Sequence, residues 1–414
     1  MTDYLVSCGL SDAEQYDIVI AGGGLVGASV ALAISQTNPQ LRIAIVEAVP
    51  PSAENQPSYD SRAIAVAHGS RILLDDYGWW SALKHKVEPI VDIQVSDRGH
   101  IGKSYLTASQ FNLAALGYVL EVRHLGQILI ERLKAFRHVQ WFCPDSIGAI
   151  DTFPSHLTLT LSSEKKLRAR LLLVADGGQS LTRQRVNIDN HSSDYGQCAV
   201  ITNISISQPH QNRAFERFTE FGPMALLPLS GDRYSLVWCV TPNKVQPLLD
   251  CDEQQFLAQL QQAFGYRAGQ FVKAGQRFSY PLTLTLAKEI TSHRVALMGN
   301  ASHTIHPIAG QGFNLGLRDV EAIRQCINSA LINGQDIGEF ATLAQFSQLR
   351  QQDMNQVVGM TDTLVRLFSN SDKALALGRT MGLLTMGLFD CLKQPLAYQA
   401  MGVKSKLMKG VKTG

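Results

Sequence analysis

Between Arg294 and Asp319 the chain reads Arg-Val-Ala-Leu-Met-Gly-Asn-Ala-Ser-His-Thr-Ile-His-Pro-Ile-Ala-Gly-Gln-Gly-Phe-Asn-Leu-Gly-Leu-Arg-Asp. A short apolar run, Val295 to Met298, has the character of a buried strand and stops at Gly299-Asn300, a tight turn able to present a polar group to a ligand. Pro307 stiffens the loop that follows. Gly310-Gln311-Gly312 then leaves the backbone bare ahead of apolar residues at helical spacing, Phe313, Leu317, Val320, Ile323 and Ile327, so a helix is expected to start near Gly312. Unpaired N–H groups and the helix dipole favour negative charge in front of such a start, and glycines let a flat ring come close. The chemistry on offer is the holding of an anion or an electron-accepting ring. Taken alone, an ordinary strand, loop and helix would read the same way.

Three other clusters change that balance. Near the N-terminus Gly22-Gly23-Gly24-Leu25-Val26-Gly27 follows the β-branched run Tyr16 to Ala21 and opens a stretch of small apolar residues through Ile34; a second run, Leu41 to Val46, ends at Glu47, 25 positions after Gly22. This is a βαβ unit with G-x-G-x-x-G at its first turn: Gly22 for the turn, Gly24 for approach to a pyrophosphate, Gly27 for close helix packing, and Glu47 to accept from ribose hydroxyls. It signals a dinucleotide without distinguishing FAD from a nicotinamide nucleotide. Farther on, the apolar run Leu171 to Ala175 stops on Asp176-Gly177, with Ser180 and Arg183 close behind, again a polar group at a strand's carboxyl end. Two arginines stand at expected helix starts: Arg62, if Asp60 to Val66 opens a helix, and Arg123, if Glu121-Val122-Arg123 enters one. A cation there runs against the helix dipole and makes sense beside an anion or a flavin, although an exposed surface arginine is the commoner case. His303 and His306 are candidates for a base, but histidine near a turn often only bonds backbone, so no catalytic residue is assigned.

The elements that must position these residues fit an α/β chain of 414 residues, 45% hydrophobic and 17% charged, with an excess of two basic over acidic residues. So small an excess gives no nucleic-acid footprint. Seven scattered cysteines without a Cys-x-x-Cys pair suggest neither a disulfide framework nor a zinc site, and a reducing, cytoplasmic location is expected. The apolar run Ile18 to Ile34 is preceded by Asp3, Asp12, Glu14 and Asp17 and broken by glycines, which argues against a signal peptide or a spanning helix. From Tyr195 to about Pro281 the texture turns β-rich, with a hairpin Met224 to Leu229 and Tyr234 to Val240 and one helix, Glu253 to Phe264. We expect a discontinuous nucleotide-binding domain of residues 1–194 and 282–345, a β-rich substrate domain of 195–281 inserted in it, and a helical C-terminal segment of 346–414. That segment ends in Lys404, Lys406, Lys409 and Lys412 among apolar residues, a tail suited either to peripheral contact with an anionic membrane or simply to solvent.

In order along the chain, Gly22-x-Gly24-x-x-Gly27, Asp176-Gly177 and Gly299-Asn300 with His306-Pro307-x-Ala309-Gly310-Gln311-Gly312-x-Asn314 resemble the flavoprotein aromatic hydroxylases of the p-hydroxybenzoate hydroxylase fold. The last motif is similar throughout to the ubiquinone-biosynthesis hydroxylases, and its Ala-Ser-His-Thr-Ile-His-Pro context looks most like their 2-polyprenyl-6-methoxyphenol hydroxylase branch. The resemblance implies a Rossmann-type FAD-binding domain with an inserted mixed β-sheet domain, NADH or NADPH as transient electron donor, O2 as co-substrate, and a polyprenylated phenol as the molecule hydroxylated. It implies that Glu47 meets the ribose, that Arg62 and Arg123 flank FAD, that Asp176 and Gly177 touch FAD and the donor, and that Pro307 and Gly310 to Asn314 lie at the isoalloxazine. Asn300 stands where most relatives carry Asp; an amide still accepts through its oxygen. Other proteins of ubiquinone biosynthesis are implied partners, on the inner face of the membrane. Two further readings share the nucleotide motifs: a flavin-dependent isoprenoid dehydrogenase or reductase, and a flavin-binding scaffold without turnover.

Overall fold

The computed structural model describes residues 13–50, 62–98, 103–368 and 390–403. The lysines of the C-terminal tail, and Asp60 where a helix was expected to open, lie outside them.

The first sheet has a parallel core in the spatial order Val295–Leu297, Lys166–Val174, Glu14–Ala21, Ile43–Val46, Val139–Phe142. These strands are near-continuous aliphatic runs because both faces are covered: Ile18, Val19, Ile20, Leu171, Leu172 and Leu173 are fully buried. Helices Leu25–Thr37 and Gln311–Ile332 lie against the sheet and share one apolar core with it. Leu157–Leu161 and Ile147–Thr152 extend it antiparallel beside Lys166–Val174. Glu14–Ala21 is flanked by Ile43–Val46 on one side and by the much later Lys166–Val174 on the other. Its carboxyl end is therefore a topological switch point, where open α/β sheets take their ligands.

A second, nine-stranded sheet is mostly antiparallel. It is not built from 195–281 alone. Its long central strand Asn190–Ile206 and its neighbour Phe278–Ala287 overrun both limits, and Asp92–Asp97, Lys103–Thr107 and His303–Thr304 join from elsewhere. The distant join is parallel, Asp92–Asp97 beside Arg213–Thr219, and Arg213 secures it by donating from Nε and Nη2 to the Asp92 carboxylate at 2.7 and 2.9 Å. One face carries Phe256, Leu260 and Phe264 of helix Glu253–Phe264. A preceding helix, Pro242–Asp250, adds to the one expected in this region; Pro242 sits at its first turn, where proline is tolerated, and Pro247 lies inside it.

The three-stranded sheet corrects the reading of Asp60 to Val66. Ala63–Ala67 is a strand paired with Gly117–Glu121, and the helix begins only at His68. Arg62 thus leads a strand, not a helix. The Ala-Ile-Ala-Val-Ala alternation has the period of a strand, and its cross-strand partner holds it as one. The helix Val122–Leu133 begins as expected with Arg123 in its first turn. Among the described residues no helix is long and apolar enough to cross a membrane.

Candidate active site

Four turns leave the first sheet at one edge: Gly22 to Gly24, Glu47, Asp176-Gly177 and Gly299-Asn300. They interlock through backbone. Gly22 has φ +95° and donates to the Val46 carbonyl at 2.8 Å, and a Cβ there would lie 2.5 Å from the Ala175 carbonyl oxygen. At Gly27 a Cβ would lie 1.9 Å from the Gly22 carbonyl oxygen, so only glycine lets the helix sit this close to the turn. Gly24 caps that helix in extended conformation with no side-chain acceptor, leaving the first N–H groups for an anion. The Glu47 carboxylate accepts from Gly23 N at 2.5 Å and Val49 N at 2.9 Å, which fixes it at the tip of its strand.

Asp176 Oδ2 accepts from Thr182 N at 3.1 Å, while its buried Oδ1 has no hydrogen-bond partner. Beside it Gly177 has φ +94° and open space where a Cβ would point. Ser180 caps the following short helix, and the buried Arg183 donates to the Ala301 carbonyl at 2.9 Å, tying this turn to the one at Asn300. The Asn300 side chain is exposed.

The helix expected near Gly312 spans Gln311–Ile332, with Gly310 capping it at φ +60° against the Ala65 side chain. Two residues of the loop turn inward instead of outward. Asn314 is fully buried: it donates to the Ala65 and Gly310 carbonyls at 2.8 and 2.7 Å and accepts from Ala67 N at 2.9 Å, stitching the helix start to strand Ala63–Ala67. Gln311 donates to the Ala400 carbonyl at 3.0 Å. Pro307 leads into this loop, and Gly312 meets no atom within 4 Å of where a Cβ would be. Arg62 places its guanidinium 5.4 Å from the Tyr280 ring of the second sheet, and Arg123, half exposed, is paired to Glu121 at 2.7 Å.

Both histidines bond side chains. His306 Nε2 lies 3.3 Å from Gln197 Oε1 and 3.9 Å from Cys239 Sγ, on the sheet face opposite Phe264, and burial holds its pKa down to about 4, so it is neutral at physiological pH. His303 Nε2 meets Asp319 Oδ2 at 2.8 Å. Asp319, unnoticed in the sequence beyond its place in the motif, also accepts from Gly299 N at 2.8 Å and Arg350 Nε at 2.6 Å. It thereby anchors the Gly299-Asn300 turn to two helices. Arg350, 31 residues away, gave no local signal.

Residues 15–359 match the FAD binding domain family. The chain is 36% identical over 402 residues to the ubiquinone hydroxylase UbiL of Rhodospirillum rubrum, covering 95% of this chain and 93% of that protein. It belongs to the ubiquinone-biosynthesis hydroxylases. These are flavoprotein aromatic hydroxylases, and this member is an FAD-dependent monooxygenase with NAD(P)H as electron donor. Human COQ6, a mitochondrial ubiquinone biosynthesis monooxygenase, is 30% identical over 440 residues, covering 94% of this chain and 93% of its own length; the 3-demethoxyubiquinol 3-hydroxylase of Escherichia coli is 30% identical over 396, covering 94% and 99%. The fold matches the crystal structure of p-nitrophenol 4-monooxygenase PnpA from Pseudomonas putida with a TM-score of 0.76 at 18% identity, over 94% of this chain and 99% of that one.

The geometry accommodates FAD: a glycine cradle no Cβ could share, a bare helix start, an unsatisfied buried carboxylate oxygen at Asp176, and open space at Gly177 and Gly312. Gly312→Ala tests this directly. Alanine favours a helix over glycine by about 1 kcal/mol and here meets no neighbour, so the apoprotein is expected to be at least as stable as the parent. FAD affinity, measured by flavin fluorescence quenching, is expected to fall; equal FAD affinity would show that nothing approaches this backbone.

Proposed function

We propose that the chain hydroxylates the aromatic ring of a polyprenylated phenol in ubiquinone biosynthesis, its substrate being a 2-polyprenyl-6-methoxyphenol. The observation that carries this reading is the Pro307 to Asn314 loop, whose bare backbone starts a 22-residue helix at the edge between the two large sheets. When bound, FAD supplies the redox chemistry, taking electrons from NADH or NADPH and activating O2.

The chain's own residues do the rest. Gly22, Gly24 and Gly27 admit the pyrophosphate to the start of helix Leu25–Thr37, and Glu47 accepts from ribose hydroxyls. Asp176 Oδ1 offers an acceptor to a sugar or ribityl hydroxyl, and Asn300 offers an amide in place of a carboxylate. The Gly310 N–H is given to the Pro307 carbonyl at 3.1 Å, so it is the helix start around Gly312 that would settle negative charge on a bound ring. Asn314 keeps that start in register with strand Ala63–Ala67, and Arg62 and Arg123 bring positive charge from the third sheet. Opposite the loop, the second sheet presents Ala199, Cys239 and Leu282, with Ala214 and Leu229 farther along, an apolar wall that keeps water from the reacting ring. The neutral His306 is packed against that wall as a spacer between sheet and loop.

Mass spectrometry of the reaction tests the assignment. With the purified holoprotein, NAD(P)H and O2, a 2-polyprenyl-6-methoxyphenol should gain one oxygen atom. O2 consumption with an unchanged phenol, or preferential turnover of a 3-demethoxyubiquinol, would assign the chain to another branch.

A further inference from the structure

On the side of the second sheet that faces away from the flavin loop, Arg217 stands at the margin of an apolar cluster, beside Ser96 of the neighbouring strand. It follows Phe215 on strand Arg213–Thr219, pairs across to Met224, and lies with its guanidinium 6.0 Å from the Phe264 ring, at the end of helix Glu253–Phe264. It is 9% exposed, and its buried Nε and Nη1 meet no hydrogen-bond acceptor. Its charged neighbours make matters worse. Burial, then Arg267, then Arg98 push its pKa down, to about 10, and among the described residues Asp97 pushes the other way. At neutral pH it is still charged, so among the described residues it meets two guanidinium groups and one carboxylate. Gly265, at φ +83°, turns the chain out of the helix and leaves Tyr266 75% exposed next to Arg267.

A buried cation that must share one carboxylate neighbour with two other guanidinium groups is costly, and water could satisfy its N–H groups without balancing its charge. Two guanidinium forks, one buried and one exposed, suit a tetrahedral oxoanion, which each can grip through paired N–H donors. We propose that this corner binds a phosphate-type oxoanion, with Arg217 as its floor and Arg267 as its outer arm. The anion is either a free phosphate or the headgroup of an anionic lipid, and the exposed Tyr266 ring would sit at headgroup level in the second case. The site lies outside the flavin-binding edge and is independent of which phenol is hydroxylated.

The FAD-loaded full chain is the material for the test, because its nucleotide turn is already filled. Inorganic phosphate, titrated against chloride at matched ionic strength, should raise the thermal unfolding midpoint of the parent. Calorimetric phosphate affinity should fall at least about tenfold in Arg217→Met, corresponding to loss of about 1.4 kcal/mol. In phosphate-free buffer Arg217→Met should be no less stable than the parent, since it removes an uncompensated charge. Should that variant not fold, Arg267→Gln, altered only at the surface, must weaken phosphate by itself. Cosedimentation with vesicles containing phosphatidylglycerol, but not with phosphatidylcholine alone, and its loss in either variant, would name the lipid headgroup as the source; phosphate binding without vesicle binding would name a soluble one. If chloride reproduces the stabilisation, or both variants respond as the parent does, the corner holds only water and the proposal is wrong.

Discussion

Asp319→Asn is expected to lower the unfolding free energy by about 3–5 kcal/mol at neutral pH, the cost of breaking one side of a buried ion pair. The carboxylate accepts from Gly299 N and His303 Nε2 on one oxygen and from Arg350 Nε on the other. An amide has only one accepting oxygen, so its NH2 must face a donor, and Arg350 keeps only Asp353 as an anionic partner. The pH dependence carries a sign. Burial would raise the Asp319 pKa, but His303, Arg350 and the Gly299 N–H overcome it and hold it near 2, below the unfolded value of about 3.9. The stabilisation is therefore complete above the unfolded value and is lost as pH falls toward 2. Urea unfolding at a series of pH values should show parent and variant converging in acid. A constant gap down to pH 2 would mean that Asp319 contributes only packing. Because Gly299 loses its anchor as well, the variant should also retain less FAD.

Gly27→Val should yield a protein that is purified nearly colourless. The obstacle is the Gly22 carbonyl oxygen, 1.9 Å from the added Cβ, and a backbone atom cannot rotate aside as a side chain would. Overpacking of this kind typically costs about 1–3 kcal/mol, and the helix can relieve it only by leaving the turn that receives the pyrophosphate. FAD affinity is expected to drop by about ten- to a hundredfold, measured as flavin absorbance retained per polypeptide after gel filtration and by titration of the apoprotein. A variant as yellow as the parent would show that the first helix does not set the cofactor site. Gly312→Ala gives the contrast, an addition where space is open.

The nucleotide-binding half was legible because its signals are local. A β-branched run, three glycines, a small-residue helix and an acid at the next strand tip all fall within residues 16–47. What escaped were pairings between distant residues. Ala63–Ala67 looked like a helix entrance until Gly117–Glu121 stood beside it, and no reading along the chain would place Asp92 parallel to Arg213. At the site itself, Gln311 and Asn314 were read as lying at the ring, and what the sequence did not show is that their side chains bond backbone groups within the protein. Asn314 shows why: its partners, Ala65 and Ala67, lie about 250 residues earlier. Likewise His306 finds Gln197 across 109 residues, a contact set by how the second sheet settles on the first.

Gln311 reaches past the loop to the Ala400 carbonyl, in helix Asp390–Met401, and a Cβ at Gly69 would lie 2.4 Å from the Gly402 carbonyl oxygen. Residues 400–402 are thus a wedge driven between the Gly310 to Gly312 loop and helix His68–Asp76. A truncation stopping short of residue 390 would strip that wedge from the loop and not merely trim a loose appendage.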